Sequence, residues 1–86
     1  MDLGSFPFAD VIAQAAREHR KIKLTYKDEL RTVEPYSYRE SPAGTGTLFY
    51  GYHEEAGGIK AFSLAKIQHV ELTDETYNPR WTIEIG

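Results

Sequence analysis

The chain opens on a helical period and then changes to an alternating one. Apolar residues at Phe8, Val11, Ile12, Ala15 and Ala16 recur at i, i+3, i+4 and i+7, the spacing of one buried stripe on an amphipathic helix. Ser5 is placed to cap the N-terminus, and Pro7 stands where a missing N–H costs nothing. Arg17, His19, Arg20 and Lys21 crowd the other end, where cations offset the negative pole of the helix dipole. The pattern predicts a helix over about 6–20.

From Lys21 onward Ile22, Leu24 and Tyr26 alternate with polar residues, as in a half-buried strand. Asp28-Glu29 predicts a tight reversal, followed by a second strand from Leu30 to Tyr38. Pro35 lacks a ladder donor, so it marks an edge, a bulge or a bend there. Residues 40–47 (ESPAGTGT) form a loop by composition. Leu48 to Tyr52 is a third strand, in which Gly51 signals a bulge or the close approach of another backbone. Ile59 to Leu64 and Ile67 to Thr73 give a fourth and a fifth strand. Ile67 is out of phase with Val70 and Leu72, which predicts a 3₁₀ turn or bulge near Lys66. The barrel is thus expected over about 21–73, with an extended tail over 74–86 that holds a last short strand, Thr82 to Ile85.

A helix followed by five or six short antiparallel strands buries its apolar faces most economically as a bent barrel with the helix as its cap. The expected fold is therefore mainly β with an N-terminal α-helix, a small five-to-six-stranded antiparallel barrel of Sm-like or SH3-like form. With 86 residues the chain is one domain. A chain of this size buries roughly 60–65% of its unfolded surface, enough for one modest core without staples.

Composition narrows the chemistry. No cysteine is present, which excludes disulfides, thiolate metal sites and cysteine nucleophiles. The net charge of −3 argues against a surface that binds nucleic acid everywhere but leaves room for a local basic patch. No apolar run reaches the ~18–20 residues needed to cross a bilayer, and the acidic start Met1-Asp2 lacks a signal peptide's basic region. A cytoplasmic protein without membrane contact is the expectation. His53-Glu54-Glu55-Ala56-Gly57 begins like a metalloprotease helix but lacks the second histidine, and Gly44-Thr45-Gly46 begins a dinucleotide fingerprint that Phe49 ends. His19, His53 and His69 share no ligand spacing. No catalytic residue, metal or cofactor is expected, and an enzyme would require His53 or His69 to meet a carboxylate in a pocket.

The residues suited to binding are cations beside aromatics. Arg31 and Arg39 flank a segment containing Tyr36 and Tyr38, a makeup that grips phosphate and stacks bases. The alternative is surface pairing with Glu34 or Glu40. Lys66, at the expected break between strands, is placed to project toward an anion. The run Arg17, Arg20, Lys21, Lys23 and Lys27 reads either as a phosphate-tracking stripe or as a dipole-matched helix end followed by a solvated strand face.

Taken in order, Val11-Ile12-Ala13-Gln14-Ala15, Ile22-Lys23-Leu24-Thr25-Tyr26 and Arg31-Thr32-Val33-Glu34-Pro35-Tyr36-Ser37 resemble the first half of the WYL domain. Leu48-Phe49-Tyr50-Gly51-Tyr52 and Lys60-Ala61-Phe62-Ser63-Leu64-Ala65-Lys66-Ile67 resemble its second half, and Tyr77-Asn78-Pro79-Arg80 is similar to its end. The resemblance covers about residues 8 to 85. It implies an Sm-like barrel of the kind found behind a DNA-binding helix-turn-helix in bacterial transcription regulators, sensing a nucleic-acid or nucleotide ligand through basic residues. No helix-turn-helix precedes the barrel in this sequence, so a stand-alone or excised module is expected. The family's Trp-Tyr-Leu aligns with Thr47-Leu48-Phe49, with Tyr50 and Tyr52 close behind. Ser63 and Lys66 stand where the family carries arginines, while Arg31 is kept. The expected ligand site is Arg31, Arg39, Lys66, Tyr36, Tyr50 and Ser63, taking a nucleotide or single-stranded nucleic acid. The rival expectation is a protein-interaction or oligomerisation module, for instance a homodimer.

Overall fold

The computed structural model describes residues 8–44 and 46–85. Helix α1 spans Ala9–Glu18, and five strands follow: β1 (Arg20–Tyr26), β2 (Glu29–Glu40), β3 (Thr47–His53), β4 (Gly58–Ser63) and β5 (His69–Thr76). A 3₁₀ turn, Leu64–Lys66, sits between β4 and β5 as the broken phase of Ile67 predicts. The expected mainly β fold with its leading helix is present, and the strands form one antiparallel sheet in the order β4-β3-β2-β1-β5.

The helix buries Ala9, Ile12, Ala15 and Ala16 against the sheet, the stripe read from the sequence. It begins at Phe8, whose carbonyl accepts the Ile12 N–H at 3.1 Å; the proposed Ser5 cap and Pro7 lie outside the described residues. It ends at His19, which adopts the left-handed conformation at φ 52° and donates its N–H to the carbonyls of Ala15 and Ala16. The first hairpin turns on Lys27 and Asp28, both left-handed at φ 52° and 62°, so the reversal lies one residue earlier than Asp28-Glu29.

The sheet is strongly curled. Tyr26 in β1 and Phe62 in β4 are three strands apart, about 14 Å in a flat sheet, yet their rings meet edge to face at 5.2 Å. The Ser63 N–H also donates to the Tyr26 hydroxyl at 3.1 Å. Ile22, Leu24, Val33, Phe49, Phe62 and Val70, drawn from all five strands, therefore share one core with α1.

Two features of β2 position everything that follows. Gly51 in β3 lies opposite Pro35, and a Cβ there would collide with Val33 Cγ1, so close approach is what this glycine serves. Between Pro35 and Ser37 the β2–β3 register shifts by a bulge. That extra residue turns the strand's phase over. Val33 faces the core before it and Tyr38 after it, with Glu34, Tyr36 and Ser37 on the outer face between.

The tail departs from expectation in one respect: residues 77–85 form no strand. They are extended and held by single bonds, the Glu84 N–H to the Tyr36 carbonyl at 2.8 Å and the Tyr77 hydroxyl to the Pro35 carbonyl at 2.7 Å.

Candidate functional site

The strand phase sorts the six expected site residues onto two surfaces. Arg31 lies opposite Leu24, so it shares the inner face with Ile22, Leu24 and Tyr26 at the open rim of the barrel. Arg39 lies eight residues further along β2, about 26 Å at ~3.3 Å per residue, and beyond the bulge, on the outer face. The two arginines do not meet. The common anion-attracting hollow expected of Arg31, Arg39 and Lys66 is not formed, because one inserted residue reverses the side on which Arg39 emerges.

At the inner rim the Arg31 guanidinium carbon stands 5.7 Å from the Tyr26 ring centre and 5.8 Å from that of Phe62. Its Nη2 donates to Glu29 at 3.2 Å, rather than to Glu34 or Glu40, while its Nε is buried and finds no acceptor among the described residues. Lys27 Nζ lies 5.9 Å from the same Tyr26 ring. The segment from Ser63 to Gln68 is tied down at both ends, by Ser63 to Tyr26 and by Gln68 to Thr25 and Asp28. Lys66 rides on it, exposed and without an ion-pair partner among the described residues.

His53, opposite Val33, also belongs to the inner face, with its ring 6.4 Å from that of Phe62. Its Nε2 is 3.3 Å from Glu55, and its buried Nδ1 has no partner among the described residues. Burial pushes the Glu55 carboxyl upward, but the Thr32 N–H that it accepts at 2.8 Å, with His53 beside it, leaves its pKa below the ordinary value. Arg31 Nε and His53 Nδ1 are thus two unpaired buried polar atoms on residues that flank Phe62.

Tyr36, Tyr50 and Arg39 converge elsewhere. They line an outer-face groove of about 500 Å³ with Ile59, Trp81 and Glu84. Arg39 Nη2 is bound to Glu84 at 2.6 Å.

Sequence reading missed the clasp that fixes this groove. Glu34 is 2% exposed. It accepts the Tyr36 hydroxyl at 2.8 Å and the Arg80 Nε at 3.2 Å. The Arg80 guanidinium carbon lies 4.0 Å from the Tyr52 ring centre, and its backbone N–H donates to the Tyr36 hydroxyl at 2.9 Å. Burial raises the Tyr36 hydroxyl to about 12. The signal lay in a carboxylate at Glu34 amid Val33, Pro35 and Tyr36, a charge that demands a partner, and in Arg80 beside Trp81. Two of the five cations in the basic run near the helix end are paired: Arg20 with Glu18 and Asp74, and Lys21 with Glu54 and Glu75.

No group of three or more His, Asp or Glu residues suited to a metal ion occurs among the described residues, and none of their helices is long and apolar enough to cross a membrane.

With curled sheet, leading helix and inner rim in place, the chain resembles a solved structure, the proteasome accessory factor B/C (PafBC) of Arthrobacter aurescens. The TM-score is 0.67, with 26% identity over 78% of this chain. The likeness supports a WYL-like fold. The match spans 11% of the PafBC chain. No family model and no curated protein matches the sequence.

Proposed function

We propose that this chain is a regulatory WYL-like domain that binds a nucleotide or a short single-stranded nucleic acid at the inner rim, without covalent chemistry. Its similarity to PafBC, a WYL-containing transcription regulator, supports the regulatory reading. The observation that carries the ligand is Arg31. A guanidinium held over two aromatic rings, with one buried N–H unanswered, is a donor prepared for an anion, because an unpaired buried donor costs about 1–3 kcal/mol until an acceptor arrives. Lys27 adds charge beside the Tyr26 ring that Arg31 also faces, and the exposed Lys66 rides on the turn that follows Ser63. Ser63 contributes its backbone N–H to holding Tyr26 and no charge of its own. Arg39, Tyr36 and Tyr50 fall outside this site.

The test is fluorescence anisotropy with a labelled oligonucleotide and with mononucleotides, at about 50 mM and about 200 mM salt. Binding should weaken as salt rises. Arg31→Ala should weaken it about tenfold, Lys66→Ala less, and Arg39→Ala not at all. No binding at the lower salt, or binding indifferent to salt, refutes the proposal. A second reading, self-association, is supported by the edge position of β4 and by Ile59, 43% exposed upon it. Light scattering that gives a concentration-independent oligomer indifferent to nucleotides would favour that reading.

A further inference from the structure

The inner rim holds a second polar residue to which nucleotide binding has so far given no part. His53 is 9% exposed. Its Nε2 faces the Glu55 carboxylate at 3.3 Å, while its buried Nδ1 has no partner among the described residues. A carboxylate offers no proton, so the neutral ring carries its own on Nε2 and leaves a bare lone pair at Nδ1.

His53 and Arg31 are linked in two ways. The His53 ring centre and the Arg31 guanidinium carbon stand 6.4 and 5.8 Å from the centre of one ring, Phe62. Glu55 also joins them, because the Oε1 that faces His53 accepts the Thr32 N–H at 2.8 Å, one residue from Arg31.

The charges around His53 come from three directions. In β4, Lys60 lies opposite Gly51 on the inner face, between Gly58, which is opposite His53, and Phe62. From β2 come Arg31 and the Glu29 that it binds. In the turn after β3, Glu54 is bound to Lys21 at 2.9 Å, whereas Glu55 is held below the ordinary carboxyl value and keeps its charge throughout the histidine range.

Protonation would make Nδ1 a buried donor and add a positive charge beside Arg31 and Lys60. An anion on the Arg31 guanidinium supplies the opposing charge, and a rim shielded from water transmits it. What favours the proton must, by linkage, favour the anion equally.

We propose that His53 is the proton-linked partner of Arg31: an anion bound at the rim draws a proton onto the His53 ring, and the domain holds its ligand more tightly as pH falls through the histidine range. The inference rests on the inner-rim reading and adds to it a residue and a condition for binding.

The probe is a labelled oligothymidylate without terminal phosphates, because neither its thymines nor its phosphodiesters change charge between about pH 5.5 and about pH 8, where histidine does. Anisotropy with the intact protein at constant low salt should show binding at least about fivefold tighter at the lower pH. In His53→Asn, its fold verified by circular dichroism, the two affinities should agree within about twofold, whereas His19→Asn and His69→Asn should keep the full difference. The unsubstituted protein gives a second readout. In proton NMR spectra at about pH 7, saturating oligothymidylate should move the His53 ring resonance toward its acid-limit position. Equal affinity at both pH values, a pH dependence that survives in His53→Asn, or a His53 resonance unmoved by ligand overturns the inference and leaves the inner-rim reading standing. No binding at either pH overturns both.

Discussion

Replacing Gly51 by alanine tests the packing between β2 and β3. Its φ is not in the left-handed region, so an added methyl brings no dihedral penalty and the outcome is purely steric. The new Cβ would collide with Val33 Cγ1, approach the Glu34 carbonyl at 3.0 Å and touch the Phe49 ring at 3.1 Å. None of these yields cheaply. Val33 and Phe49 are completely buried, a valine is stiff at χ1, and the Glu34 carbonyl belongs to a paired strand. Overpacking of this kind costs ~1–3 kcal/mol, and rigid neighbours on three sides place Gly51→Ala near the upper end, ~2–3 kcal/mol. In a domain of this size, 1 kcal/mol moves Tm by ~4–8 °C, so the midpoint should fall by ~10–20 °C. Thermal circular dichroism and urea titration followed by Trp81 emission would measure it. Gly58→Ala is the control, since nothing lies within 4 Å of a Cβ at Gly58, and it should stay within ~0.5 kcal/mol of the parent. Adding Val33→Ala to Gly51→Ala removes the colliding methyl, so the two changes together should cost at least ~0.5 kcal/mol less than their sum. A Gly51→Ala protein as stable as its Gly58→Ala counterpart would show that the two strands do not approach as described.

Other outcomes follow from the clasp and the buried hydroxyls. Tyr77→Phe removes a buried hydroxyl that donates to the Pro35 carbonyl at 2.7 Å and should cost ~1 kcal/mol, read as a lower urea midpoint with unchanged slope. Arg80→Ala leaves Glu34 buried with only the Tyr36 hydroxyl, so the tail should loosen, seen as a red shift of Trp81 emission and faster proteolysis near residue 80. Burial raises Tyr36 and Tyr38 from 10.0 to about 12 in the folded protein. Because their folded values exceed the unfolded ones, the neutral hydroxyls contribute stability that is complete below pH 10 and is lost as pH rises toward about 12. Urea titrations across that range, with absorbance at ~295 nm following tyrosinate, would check the sign; stability that rises with alkali would refute it.

The fold was legible wherever one period ran unbroken. The helix stripe ends within the described helix, the alternation of Ile22, Leu24 and Tyr26 is the inner face of β1, and the slip at Ile67 is the 3₁₀ turn. The site was legible only in pieces. Arg31 and Arg39 stand eight positions apart, a spacing that a regular strand would put on one face, and Pro35 announced an irregularity without saying which way the chain would resume. Tyr36, Tyr50 and Arg39 line one groove, but the Glu84 carboxylate that holds Arg39 there stands 45 positions away. Glu34 and Arg80 form a bond across 46 positions. Contacts of that span are created by the curl of the sheet and leave no local period to read.

The bulge in β2 also decides how this chain tolerates change in length. One strand serves two faces, with a cation turned inward at Arg31 and an aromatic hollow turned outward beyond Ser37, and the bulge between them holds one residue more than the β3 ladder needs. Deleting it would close the bulge and leave Tyr38 inward and Arg39 outward, because Pro35 and Ser37 already lie opposite the consecutive residues Gly51 and Tyr50. The bulge is therefore the point at which β2 can lose one residue and keep both of its faces.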